Sequence, residues 1–130
     1  MEAALNHLAE FLNDERGKRA NRYLKDGAAF KVILDKKPFS LKKQEEKMEM
    51  NSGKPEAYDV VLELTSSAVE YFSNAETEDE TYERIREIIH QPTAERYFRM
   101  KTEVESTQQG RIKFYWLGYY FWAKRMGLYY

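Results

Sequence analysis

The residues whose types could do chemistry are two histidines, two adjacent serines, one acidic run and one aromatic-rich segment. His7 and His90 are the only imidazoles in the 130 residues, and the sequence places no acid–base or ligand partner beside either, so both are expected to play surface or capping roles. Ser66 and Ser67 lack the G-x-S-x-G context of an exposed nucleophile, and no glycine-rich phosphate loop or dinucleotide fingerprint occurs anywhere in the chain. The run Glu76-Thr77-Glu78-Asp79-Glu80 has the charge of a cation site. It has neither the alternating ligand spacing nor the central glycine and terminal glutamate of a calcium loop, and acids gathered at a helix start are accounted for by the macrodipole. With no cysteine, disulfides, thiolate zinc sites and cysteine nucleophiles are excluded. The expectation is therefore a protein with no catalytic residue, no metal and no cofactor. Dispersed carboxylates meeting in space would be the remaining route to catalysis.

The aromatic segment has a different chemistry. Phe114, Tyr115, Trp116, Tyr119, Tyr120, Phe121 and Trp122 are too many rings for one narrow stripe, so aromatic side chains must occupy nearly every side of a helix there. Such a helix fills a core, lines a ligand cavity, meets a partner or lies on a membrane surface. Tyrosine hydroxyls and indole nitrogens would then be the polar handles that orient an apolar ligand. Arg111, Lys113, Lys124 and Arg125 flank the rings with no acid between them, which raises the stacking of nucleic-acid bases over a basic groove. Against that, 21 basic and 22 acidic side chains leave a net charge of −1, and the positive charge is too sparse to favour a nucleic-acid partner.

These segments need elements to position them. Leu5, Leu8 and Leu12, with Ala4 and Phe11, follow helical spacing that ends at Asn13-Asp14 and Gly17, giving a short amphipathic first helix. Phe30, Val32 and Leu34 alternate with Lys31, Ile33 and Asp35, a strand with the first three residues on the core side. Lys36-Lys37-Pro38 predicts a turn, 39–50 a second strand carrying Leu41, Met48 and Met50, and Asn51-Ser52-Gly53-Lys54-Pro55 another turn. Tyr58, Val60, Leu62 and Leu64 alternate with Asp59, Val61 and Glu63 in the clearest strand, and three strands in succession predict an antiparallel meander.

Ser67 and Glu70 have capping-box spacing where Val69 and Phe72 begin a helical stripe ending near Asn74. Thr77 and Glu80 repeat the device before Tyr82, Ile85 and Ile89, and His90-Gln91-Pro92 ends that helix. Phe98, Met100, Thr102 and Val104 alternate as a fourth strand. Ile112, Tyr115, Trp116, Tyr119, Trp122, Ala123 and Met126 then share one face of a terminal helix of about four turns closed by Gly127. The length suits one domain spanning 1–130. No run of about 18 apolar residues and no secretory signal pattern is present, so the expected location is cytoplasmic, with transient membrane-surface contact left open.

This order of elements, with the strand-to-helix step Tyr58-Asp59-Val60-Val61-Leu62-Glu63-Leu64-Thr65-Ser66-Ser67 as its best part, resembles the sterol carrier protein type-2 family over most of 30–126. The resemblance implies an α+β fold: an antiparallel-rich sheet of about five strands, helices packed on one face, and an apolar tunnel between them for acyl chains, sterols or similar ligands. Its C-terminal helix would border that tunnel. The candidate ligand-binding residues are Phe72, Trp116, Tyr119, Tyr120, Trp122 and Met126. Non-catalytic binding or carriage of an apolar, lipid-like ligand is the expected function. The competing expectation is an interaction or homodimerisation module that uses the aromatic helix.

Overall fold

The computed structural model describes residues 2–102 and 114–128. Helices α1 (Glu2–Asn13) and α2 (Glu15–Asn21) lead into strands β1 (Ala29–Leu34), β2 (Lys37–Gln44), β3 (Lys47–Ser52) and β4 (Val60–Leu64). Helices α3 (Ser66–Ser73) and α4 (Glu78–His90), strand β5 (Phe98–Thr102) and the terminal helix α5 (Tyr119–Met126) follow. The strands form one sheet in the order β3-β2-β1-β4-β5. Three of its four pairings are antiparallel; β4 runs parallel to β1, with Phe30 opposite Val60. The α+β, antiparallel-rich expectation holds. The meander is corrected, because the third sequence strand crosses over to lie beside β1 rather than continuing from its predecessor.

Period-two burial explains the layering. Phe30, Val32 and Leu34 are fully buried, as are their neighbours Leu41, Val60, Leu62 and Leu64, while Lys31, Glu63, Arg99 and Lys101 point to the other face. One face is thus apolar and must be covered, and helices cover it. Asn13 at the end of α1 hydrogen-bonds both backbone groups of Met48, each at 3.0 Å, which pairs part of the β3 edge that would otherwise be open.

Several local predictions shift by a few residues. The segment 39–50 is two strands, because a hairpin turns at Glu45, whose φ is 56°. The first hairpin turns at Asp35 and Lys36 (φ 50° and 70°), and Pro38 lies in β2 rather than in the turn. Pro38 faces Ile33 just beyond the end of the β2–β3 register, where a missing N–H breaks no ladder bond. The cap of α3 is Thr65, whose hydroxyl accepts from the Ala68 amide, and Ser67 is exposed in the first turn. Thr77 caps α4 through the Glu80 amide, with Glu78, Asp79 and Glu80 of the acidic run in its first turn. Helix α2, capped by Asp14, has no counterpart in the sequence prediction. Val104 and Ile112, predicted for the fourth strand and the terminal helix, lie outside the described residues, as do Arg111 and Lys113.

Candidate functional site

The terminal helix is broken rather than continuous. Residues 114–116 are helical, the chain turns at Leu117 and Gly118, and α5 begins at Tyr119. Gly118 has φ 88°, and a Cβ there would lie 1.7 Å from the Tyr23 carbonyl oxygen, so only glycine fits both the turn and the close approach to the chain after α2.

The break sorts the rings into two sets. Phe114, Tyr119, Trp122 and Met126 are buried, whereas Trp116 is 77% exposed and Tyr115 and Phe121 about half exposed. Of the six sequence-predicted ligand residues, Phe72, Tyr119, Trp122 and Met126 lie in the core between helices and sheet, Tyr120 is half-buried, and Trp116 stands on the surface away from that space. Phe30 of β1 packs against Tyr119 and Trp122 with ring centroids 5.3 and 5.0 Å apart, and Phe72 meets Phe11 and Phe98 at 5.2 and 6.1 Å.

The layer between helices and sheet is closed. A void of about 10 Å³ lies in it, bounded by Leu8, Phe11, Val32, Leu62, Phe98, Trp122, Met126 and neighbouring leucines, with no polar surface in its wall. That volume is about one water-sized probe, far below the several hundred cubic ångströms of a site for a drug-sized ligand. The tunnel that the family resemblance implies is therefore filled here. Interlocked rings do the filling, with Trp122 and Phe30 both fully buried.

Two polar anchors hold α5 to this layer. The Tyr119 hydroxyl accepts from the Ala29 amide at 2.7 Å and donates to Asp59 Oδ2 at 2.8 Å. Burial first, and the carboxylate of Asp59 with it, push this phenol well above the ordinary tyrosine range, the Ala29 amide opposing them. At the same end of the strands, on the β2 side, Trp122 Nε1 donates to Asn21 Oδ1 at 2.9 Å, the Asn21 amide bonds the Leu12 carbonyl, and Lys43 Nζ donates to the Asn21 carbonyl at 2.9 Å. Asn21 is 2% and Lys43 6% exposed. Lys43 lies on the inward face of β2 with Phe39 and Leu41, at the end of the sheet. Outside it, Lys18, Arg22, Asn21, Lys43, Glu45 and Glu46 surround a surface depression of about 370 Å³.

Asn21, Lys43 and Asp59 are absent from the sequence prediction. The period-two spacing of Phe39, Leu41 and Lys43 carries the signal for the lysine. Asp59 alternates with the inward Val60 and Leu62, a position that carries no signal for burial, yet it is 7% exposed. Asn21 sits on the unpredicted helix and has no such signal.

Among the described residues no group of three or more His, Asp or Glu is placed to hold a metal ion. His7 lies 2.9 Å from Glu70, and Ser66 donates its hydroxyl to Asp35. Within the acidic run, Glu78 Oε1 lies 2.8 Å from Arg19 Nε, and Glu80 pairs with Arg84 at 2.7 Å. No helix among the described residues is long and apolar enough to cross a membrane.

No protein-family model matches the chain, and no curated protein matches it. Solved structures do. One, a UbiJ-SCP2 ubiquinone synthesis protein, superposes with a TM-score of 0.50 over 80% of this chain and 85% of its own, at 11% identity. At that identity the likeness is one of fold: the five-stranded sheet with helices packed on it is an SCP2-like arrangement.

Proposed function

We propose that this chain binds a lipid-like ligand without catalysis, in the seam between sheet and helices, and that α5 is the wall that yields to admit it. The observation that carries the reading is the wholly apolar lining of that seam, in which Trp122 and Met126 of α5 face Val32 and Leu62 of the sheet across the small void. The SCP2-like fold supports it, because the sterol carrier resemblance implies ligands in this same layer.

A filled seam does not preclude binding if the ligand replaces what it displaces. Removing a buried tryptophan from its packing costs about 3–5 kcal/mol. An acyl chain contributes about 0.8 kcal/mol per buried methylene, so about ten of them outweigh that loss. Single-chain amphiphiles meet this condition, and small polar molecules do not.

Titration with a panel of acyl chains and sterols, following the thermal midpoint, tests the reading together with native mass spectrometry of freshly purified protein for carried lipid. Saturable binding with a raised midpoint and little salt dependence is expected. Absence of binding, midpoint shift and carried lipid would leave the second reading ahead. That reading is an interaction or homodimerisation module, and it draws on the surface position of Trp116, Tyr115 and Phe121, since rings of this kind are enriched in interface cores. Sedimentation tests it: a dimer that Trp116→Ala dissociates would support it.

A further inference from the structure

We infer that the Lys43 end of the seam is a headgroup site for an anion, a carboxylate or phosphate borne on a single apolar chain. This rests on the lipid-binding reading and adds to it the chemistry of the ligand's polar end.

The ammonium of Lys43 is buried and carries three donors, yet among the described residues its one hydrogen bond goes to the neutral Asn21 carbonyl and no carboxylate lies within ion-pair distance. A buried cation is costly unless an anion neutralises it. Among the described residues nothing does so. Glu45 and Glu46 line the same depression, but both are exposed at the hairpin turn and neither reaches Nζ. Lys18 and Arg22 add positive charge around the opening.

The position matters as much as the charge. Asn21 lines the depression, Trp122 lines the apolar void, and the 2.9 Å hydrogen bond between them is the partition. A ligand whose head replaces the Asn21 carbonyl on Lys43 and whose chain displaces the Trp122 ring would keep both ends satisfied. A neutral sterol or alcohol would leave the ammonium as it is.

The test compares dodecanoate, dodecyl phosphate and dodecanol, each below its aggregation limit, on the wild-type protein and on Lys43→Met and Lys43→Arg. The wild type should bind the two anions about tenfold or more tighter than the alcohol, as a charge-assisted hydrogen bond gives. Lys43→Met should bring the three ligands within about twofold of one another, and Lys43→Arg should keep the preference. The two anions compared with each other tell a carboxylate site from a phosphate one. Melting curves check that the variants fold; should Lys43→Met be unfolded, Lys43→Gln takes its place. Equal binding of all three ligands to the wild type overturns the headgroup site and leaves lipid binding standing. A preference that survives in Lys43→Met also overturns it, reducing Lys43 to a cap on the α2 carbonyl. Binding of none overturns both.

Discussion

At the scale of single residues, the side chains that matter most are those that satisfy backbone groups at element ends. The Thr65 hydroxyl accepts from Ala68 at 3.3 Å and from Tyr97 at 3.4 Å, so it joins the start of α3 to the approach of β5. Thr65→Ala should lower unfolding free energy by about 1–2 kcal/mol, while Ser67→Ala should change it by less than about 0.5 kcal/mol. Denaturant melts of the two variants check this; equal losses would move the cap back to Ser67. Asp35 gives a pH signature. Burial opposes its ionised form, but hydrogen bonds from the Ser66 hydroxyl and amide outweigh burial and hold the carboxyl below the ordinary aspartate range. A depressed pKa stabilises the fold above the unfolded value and loses that contribution as pH falls through the folded one, so part of the acid loss below about pH 4 belongs to Asp35. Asp35→Asn should lower stability near neutrality and flatten the acid limb of the stability profile, the difference from the wild type vanishing at the acid end.

At the scale of elements, backbone conformation in the turns decides what each segment can be. Lys36 sits at φ 70° in a two-residue hairpin, a position that favours glycine. Lys36→Gly should therefore raise stability by about 0.5–1 kcal/mol, measured by urea denaturation, and a loss would show that the turn differs. Gly118→Ala should do the opposite, because the added methyl meets the Tyr23 carbonyl; the expected result is a lower melting midpoint with the α2–α5 contact disturbed. The same turns show what was legible in the sequence. β1 and β4 could be read from alternation, since their inner residues are buried at every second position. The Glu45 turn has no glycine, proline or asparagine to mark it, so β2 and β3 merged into one strand. α2 contains Gly17 and only Ala20 as an apolar residue, so it carries no stripe. The break at Gly118 hid for the opposite reason: Tyr119, Trp122, Ala123 and Met126 keep helical spacing of their own, and Tyr115 and Trp116 extend that rhythm across the turn while pointing into solvent. Strand direction has no local signature, so three successive strand patterns predict a meander although β1 and β4 pair in parallel.

At the scale of the whole molecule, an SCP2-like layer packing places two tryptophans of one segment in opposite environments, Trp122 at 0% and Trp116 at 77% exposure. They are the chain's only indoles. Trp116→Phe removes the surface ring and leaves Trp122 as the sole indole reporter of the seam. Since Trp122 is both a wall of the void and the donor to Asn21, any ligand entering the seam must change its surroundings. The measurement that tests the account most directly is a titration of Trp116→Phe protein with dodecanoate, following Trp122 emission and the melting midpoint together. A saturable change in emission with a rise in midpoint is the expected result. An emission spectrum that stays fixed to the aggregation limit of the ligand, with an unmoved midpoint, would contradict it.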